Sequence, residues 1–392
     1  MYFQILDEKK ECKSVFYEDS LVDSFDVKNM THTWSFSPHL DSSRVQYASV
    51  WSGGKSLDQA CPDELESRWA EVNKRAKAHF KAIGTSKVCL EDNCLFDLLP
   101  ENFLIDFYSL KNEITKSVFE NYEKPKNYDF MVDLSAFLHN IKNRKLNLKF
   151  ENLNFGDDGV RSSVGKIRNV EPRVYYDPWV TATGRLATVK NSFPILNLNR
   201  SLRPVIVPKN DAFLELDYNA AELRVLLALL EKPQPKEDMH TWISNNIFDS
   251  KYDRATTKKK VFAWLYNPKA KNKKLNDYLD RTSILEKFYK DGAIATPFGR
   301  SISVEQDKAV NYVIQSTTSD LFLTSAIKID KMLKNKKSKI AFCVHDSLVL
   351  DVCSKERGLI DGLIEEFSKT NFGLFKTNVS LGKDYGSMKK VV

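Results

Sequence analysis

Apolar residues return at helical spacing through the second quarter of the chain, then shift to shorter runs. Leu65, Trp69, Val72 and Ala76 recur every three or four positions, as do Phe103, Phe107, Leu110, Ile114 and Val118, and then Phe130, Leu134, Phe137, Leu138 and Ile141. That period predicts amphipathic helices from about Asp63 to Lys149, ending in a basic tail. Residues 152–168 are polar, and Gly156, Asp157, Asp158 and Gly159 predict a loop or small hairpin. Beyond them the pattern predicts a strand over 211–216 and a helix over 220–230 whose Leu223, Leu226, Leu227 and Leu230 face a core. Helices are expected over 238–248 and 254–266, a turn at 296–300, and a long helix over 307–333. Two β-rich runs flank Asp346 and predict a tight hairpin, followed by a helix over 356–370 and a strand over 378–381. The first 62 residues give short strand-like runs, such as 45–51, between polar turns. Gly53-Gly54-Lys55-Ser56 lacks the upstream glycine of a phosphate loop, since Ser49 stands there, and reads as a turn. No internal repeat is present, and the mixture of elements predicts an α+β fold.

Composition narrows the class. A chain of 392 residues suggests two or three lobes, and 42% hydrophobic content with a mean hydropathy of −0.41 describes a soluble globular protein. No run of about 18 apolar residues occurs, so no membrane span is expected. The N-terminus lacks the basic-then-apolar order of a signal peptide, which predicts a cytoplasmic location, the host cytoplasm if the gene belongs to a phage. Six cysteines, Cys12, Cys61, Cys89, Cys94, Cys343 and Cys353, show neither zinc-ribbon nor disulfide-framework spacing. Cys89 and Cys94 with His79 nearby offer a metal-ligand reading, but free buried thiols in a reducing compartment are the favoured expectation.

The net charge of +7 permits an anionic partner without demanding one. Three local clusters say more: Lys142, Arg144, Lys145 and Lys149; Lys269, Lys271, Lys273 and Lys274; Lys334, Lys336, Lys337 and Lys339. Each alone reads as a solvated surface. Flanking the motifs described next, they point to phosphate contacts.

Two aspartates stand at strand ends, Asp217 in Leu216-Asp217-Tyr218-Asn219 and Asp346 in Val344-His345-Asp346-Ser347. Two such carboxylates can converge on a metal pair about 3.5–4 Å apart that stabilises the attacking and leaving oxygens of an in-line displacement. Magnesium suits the role, being held by one or two carboxylates plus substrate phosphates. Between the aspartates, Arg254, Lys258, Phe262 and Tyr266 recur every fourth residue and share one helix face. A salt-bridged surface explains the two cations but not the two aromatics. A phosphate-binding end merging into a base-stacking end explains all four.

These segments resemble the motifs of family A DNA polymerases. Asp217-Tyr218-Asn219-Ala220-Ala221-Glu222-Leu223-Arg224 resembles D-Y-S-Q-I-E-L-R, Arg254 to Tyr266 matches R-x-x-x-K-x-x-x-F-x-x-x-Y, and Val344 to Val349 resembles V-H-D-E-L-V. Thr183-Gly184-Arg185-Leu186, Gln315-Ser316-Thr317-Thr318-Ser319-Asp320, Phe298-Gly299-Arg300 and Asp238-Met239-His240 resemble further blocks in the family's order, from about Arg173 onward. The resemblance implies a right-hand polymerase with an antiparallel palm sheet, helical fingers and a helical thumb. It divides the chain into an N-terminal region of unknown role (1–62), a thumb region (63–170), palm (171–231 and 293–392) and short fingers (232–292). It implies template-directed DNA synthesis from dNTPs on primer–template DNA, with two Mg²⁺ ions for which Mn²⁺ substitutes, and leaves room for a replisome or processivity partner.

The resemblance also implies residue roles. Asp217 and Asp346 would ligate both metals, with the Tyr218 carbonyl assisting. Arg254, Lys258 and His240 would hold the triphosphate, with Lys258 as proton donor to the leaving pyrophosphate. Phe262 and Tyr266 would form the platform for the incoming base, and Glu222 would oppose a ribose 2′-hydroxyl. Arg185, Asn311 and Gln315 would touch the minor-groove edge, and His345 the primer-terminal backbone. Phe262 at its position implies rejection of dideoxynucleotides.

Three departures from the pattern matter. Ser347 replaces a glutamate, implying that any metal or structural role of that acid is lost. Asn267 replaces a glycine, and the stretch from Tyr266 to Phe298 is short for the family. No D-x-E strand precedes the polymerase region, so no 3′–5′ exonuclease is expected, and the compactness suggests a phage-type enzyme. A single-subunit RNA polymerase is the nearest rival, since H-D-S is its usual third motif; Glu222 and the Thr183–Leu186 block argue against it. A non-catalytic DNA-binding scaffold is the rival from another class.

Overall fold

The computed structural model describes residues 1–7, 12, 14–22, 29–40, 43–88, 90, 93–267 and 269–391. They form two compact units, Met1–His139 and Asn140–Val392.

In the first unit the long helices Asp63–Thr85 and Glu101–Asn121 bury Trp69, Ala76, Phe103, Leu110, Ile114 and Val118, with Leu65, Val72 and Phe107 partly buried beside them. The N-terminal segment supplies the other side of the same core. Leu6 and Phe16 pack with Ala76, Phe103, Leu104 and Tyr108, while Trp34 and Ala48 pack with Trp69, Leu110, Ile114 and Val118. Residues 1–62 therefore share a unit with the helices from Asp63. Of the strand-like run at 45–51, only Gln46–Tyr47 is a strand, and Ala48–Trp51 coils into a helical turn. Gly53 and Gly54 both have positive φ, as a turn demands. Cys12 and Cys94 form a disulfide with Cα atoms 5.8 Å apart, which corrects the free-thiol expectation for these two. Cys61, Cys343 and Cys353 are free. Cys89 lies outside the described residues, and with it the metal reading that involved it.

The second unit is built on a five-stranded antiparallel sheet. Its strands are β1 (Ala212–Tyr218), β2 (Lys339–Val344), β3 (Ser347–Val352), β4 (Thr377–Gly382) and β5 (Lys389–Lys390), in the order β2-β3-β1-β4-β5. Alternation along β1 sorts its side chains. Leu214, Leu216 and Tyr218 are buried toward one face, and Glu215 and Asp217 leave by the other. On the buried face the Tyr218 hydroxyl donates to the Phe367 carbonyl at 2.7 Å and shares a hydrogen bond with the Ser325 hydroxyl at 2.8 Å, and its ring stacks on Phe367. Ser325 lies on the helix Gln306–Met332 and Phe367 on the helix Ile360–Ser368, so helices cover that face. The helices are α1 (Ala221–Leu229), α2 (Met239–Asn246), α3 (Arg254–Tyr266), α4 (Gln306–Met332) and α5 (Ile360–Ser368).

Some expectations shift. Residues 152–168 are not a hairpin: Asp157 accepts from the Gly159 and Val160 amides and caps a short helix, Asp158–Ser163, followed by Gly165–Arg168. The helix expected over 356–370 splits into a 3₁₀ segment, Ser354–Leu359, and α5. Between Tyr266 and Phe298 lie two short helices, Lys273–Tyr278 and Arg281–Phe288, and the first two strands of a small antiparallel sheet whose third is Ser301–Ser303.

Candidate active site

The chain reaches Asp217 along β1 and turns at once into α1. Ala220 makes that turn in the left-handed region, with φ 54° and ψ 55°, a conformation that costs a non-glycine residue about 1 kcal/mol. The turn brings Glu222 into α1, one helical step beyond the strand end. Asp346 sits in the two-residue loop between β2 and β3, where His345 also takes a positive φ, 56°. Asp217 pairs in register with Ser347, so β1 and β3 place Asp217 beside the hairpin tip that carries Asp346. Asn378 of β4, on the other side, donates to Asp217 Oδ2 at 3.1 Å.

Burial, and then the charge of Asp346, push the Asp217 carboxyl up to about 7; Glu215 adds to the rise, while Asn378 and Lys258 oppose it. Two carboxylates brought to neighbouring strand ends offer hard oxygen donors to a divalent cation. Asp217 and Asp346 are the carboxylates that could hold such an ion, and oxygen donors of this kind suit a hard cation.

Helix α3 starts at the Asp253 cap, whose side chain accepts from the Thr256 amide. Its stripe behaves as one face. Lys258 Nζ lies 5.6 Å from the Phe262 ring centre, and the Phe262 and Tyr266 rings stack at 5.7 Å, within 7° of parallel. His240 of α2 packs against Phe262 at 5.7 Å. Its ring is buried, and among the described residues Nδ1 has no hydrogen-bond partner. Burial holds its pKa down at about 4; the Arg254 and Lys258 charges add to that, and Asp238 opposes it. A buried acceptor or donor without a partner, flanked by two cations, is an opening for an anionic ligand.

Asp238, the first residue of the Asp238-Met239-His240 block, organises this corner. Its carboxylate caps α2 through the His240 and Thr241 amides, accepts from Asn219 Nδ2, and pairs with both Nε and Nη2 of Arg254. Asn219 follows Asp217 by two residues, so Asp238 ties the strand end to α3. Arg224, fully buried, donates to the Asn219, Pro235 and Glu237 carbonyls and fixes the loop that delivers Asp238.

Glu222 is buried and accepts from Arg185 Nη2 and from the Tyr266 hydroxyl. Burial raises its carboxyl despite both partners. Asn311 of α4 reaches the Tyr266 carbonyl at 3.4 Å; Gln315 lies one turn further along α4, and His345 is exposed at the hairpin tip. Three further motifs meet beneath Arg185. Arg300 forks onto both oxygens of Asp320 at 3.1 and 2.7 Å, and Ser319 donates to the Gly184 carbonyl at 2.8 Å. Gly184 has φ +74°, and a Cβ there would stand 2.5 Å from Arg300 Nη2, so only glycine fits.

Two of the three basic clusters lie elsewhere. Arg144, Lys145, Lys337 and Lys339 join Lys209 around a cavity of about 240 Å³. Lys339 pairs with Asp351, and Asp351 with Phe213, at the opposite end of the sheet from Asp217. Two clusters some 190 positions apart in sequence thus converge, but not on the aspartates.

No protein-family profile matches the chain. Similar proteins include DNA polymerase I of Mycobacterium leprae, 22% identical across 54% of this chain and 30% of that protein. DNA polymerase I of Aquifex aeolicus is 24% identical across 48% and 40% of the two chains, and that of Caldicellulosiruptor bescii 24% across 47% and 28%. The chain thus spans less than half the length of these curated relatives. A solved structure, the POL domain of Pol1 from M. smegmatis in complex with DNA primer-template and dNTP, matches with a TM-score of 0.49 at 15% identity, covering 83% of this chain and 66% of that one. The resemblance to family A DNA polymerases is borne out by the curated relatives over about half of the chain.

Proposed function

We propose that the chain is a DNA-directed DNA polymerase that extends a primer from dNTPs on a DNA template. The observation that carries this reading is the convergence of Asp217 and Asp346 from neighbouring strands, with the Asp217 carboxyl raised to about 7 beside Asp346 and drawn back by Lys258. The cations that would receive a triphosphate thus lie next to the acids that would receive metal.

In this reading Asp217 and Asp346 hold two magnesium ions, with the Tyr218 carbonyl assisting, and Mn²⁺ substitutes. The metals supply charge neutralisation at the reacting phosphate. The remaining work is positioning. Arg254, Lys258 and His240 bind the triphosphate, and Lys258 protonates the departing pyrophosphate. The stacked Phe262 and Tyr266 rings receive the base. Glu222, held by Tyr266 and Arg185, leaves no room for a 2′-hydroxyl, which favours deoxynucleotides over the RNA polymerase reading. Arg185, Asn311 and Gln315 read the minor-groove edge, and His345 the primer backbone.

In this reading residues 63–170 supply the thumb, 171–231 and 293–392 the palm, and 232–292 short fingers. The enzyme so read lacks 3′–5′ exonuclease activity and is of the compact, phage-type class. Extension of a labelled DNA primer with Mg²⁺, comparing dNTPs with rNTPs, tests the proposal. Extension with dNTPs supports it, and extension with rNTPs alone overturns it.

A further inference from the structure

Ser347 donates its hydroxyl to Glu215 Oε1 at 2.7 Å. Glu215 lies two residues before Asp217 on β1, so both acids leave the same face of the sheet. Ser347 stands opposite Asp217 in the β1–β3 register and therefore diagonally from Glu215, and it directly follows Asp346 in the chain. One hydroxyl thus connects Glu215 to the strand end that carries Asp346.

Nothing in the fold calls for an acid at 215. The position is partly buried, which costs a carboxylate solvation. Its neighbours on the face include Asp217, and like charges on one sheet face destabilise each other. Among the described residues no lysine or arginine pairs with Glu215, and its hydrogen-bond partner is a neutral hydroxyl. A third acid so placed is explained by a cation held at Asp217 and Asp346. The family pattern V-H-D-E-L-V has its extra acid at the position of Ser347, and here that side chain is replaced by the hydroxyl that bonds Glu215.

We infer that Glu215 is a positioning residue of the metal site, supplying from β1, through the Ser347 hydroxyl, the third negative charge that the family pattern carries at position 347. The acid has moved across the β1–β3 pair while the charge of the site is kept. This inference rests on the polymerase reading of Asp217 and Asp346. Glu215 acts in the outer layer: its contact is with Ser347, which follows Asp346 and pairs with Asp217, so it acts on the ligands through the strand ends that carry them.

The test is Mn²⁺ binding to the full chain with primer–template, read from the loss of the free-ion electron paramagnetic resonance signal. Glu215→Gln keeps the shape and removes the charge, and we expect it to weaken Mn²⁺ binding about tenfold while melting as wild type does. Ser347→Ala breaks the relay and should weaken binding in the same direction. The exchange Glu215→Ala with Ser347→Glu restores an acid from the other strand and should recover affinity lost in Glu215→Ala alone. Wild-type affinity in Glu215→Gln, or no recovery in the exchange, would overturn the inference. Asp217→Asn separates the two levels: if it abolishes Mn²⁺ binding while Glu215→Gln does not, this inference alone falls. If Mn²⁺ binding ignores Asp217 as well, the metal-site reading falls with it.

Discussion

Arg254 sets two guanidinium nitrogens on Asp238, Nε on Oδ1 at 3.0 Å and Nη2 on Oδ2 at 2.8 Å, and so arrives at the candidate triphosphate site already oriented. The fork is bidentate, and planar recognition of this kind fixes direction as well as charge. Asp238 is itself held by Asn219 and by the first amides of α2, so the orientation is transmitted from the end of β1.

Asp238→Asn keeps a side chain that can cap α2 but loosens the fork. The expected result is a KM for dNTP raised about tenfold with kcat little changed, the signature of lost substrate binding. Steady-state primer extension measures both. An unchanged KM would show that Arg254 needs no prior orientation.

Glu222 and Tyr266 are joined by a hydrogen bond in a buried setting, and Arg185 closes the other side. Glu222→Ala opens space where the sugar edge would lie. Discrimination against rNTPs should fall by about 10–100-fold, from loss of a shaped contact. Single-nucleotide incorporation of matched dNTP and rNTP pairs gives the ratio, and a wild-type ratio in the variant would remove Glu222 from the gate.

The raised carboxyl of Asp217 has a defined consequence for stability. With the folded value at about 7 and an ordinary value of 3.8, the folded state holds the proton longer than the unfolded state. The stabilisation is therefore complete below about pH 4 and is lost as pH rises through 7. Asp217→Asn removes the ionising group, so it should raise the metal-free Tm at pH 8, by the equivalent of about 2 kcal/mol after allowance for solvent screening, and change it little at pH 4. Mg²⁺ should stabilise wild type at pH 8 and leave the variant nearly unaffected. Thermal melts at the two pH values decide, and an equal shift at both would contradict the assignment.

Arg300 and Asp320 form a buried pair, with side chains 11% and 1% exposed. Removing one partner leaves the other charge uncompensated, so Arg300→Met should lose about 3–5 kcal/mol. Gly184→Ala should destabilise as well, because its Cβ would displace the same guanidinium from a position where φ is already positive. Urea unfolding measures both, and a neutral Gly184→Ala would mean that Arg300 has another place to go.

The sequence made some of this visible and hid the rest for physical reasons. Helix α3 runs from Arg254 to Tyr266 as expected, because its stripe at every fourth residue and its Asp253 cap are local signals. The hairpin around Asp346 was equally local. Residues 152–168 misled because Gly and Asp mark turns and helix caps alike, and only the fold decides which. The Cys12–Cys94 pair spans 82 positions with no spacing signature. Asp238 stands in the sequence only as part of a short block, and its partners Arg254 and Asn219 lie 16 and 19 positions away. The bond from Ser347 to Glu215 crosses 132 positions and depends on strand register, so the departure at 347 looked like a loss. The meeting of Gly184, Arg300, Ser319 and Asp320 likewise needs three dimensions, although each motif was legible alone.

The most direct test of the account is single-turnover extension of a DNA primer by one templated dNTP in Mg²⁺, comparing wild type with Asp346→Asn. The account predicts extension by wild type and a rate reduced by at least about a thousandfold in the variant, with primer–template still bound, since removing charge stabilisation at a reacting centre costs several kcal/mol. Equal extension by the two proteins would contradict it.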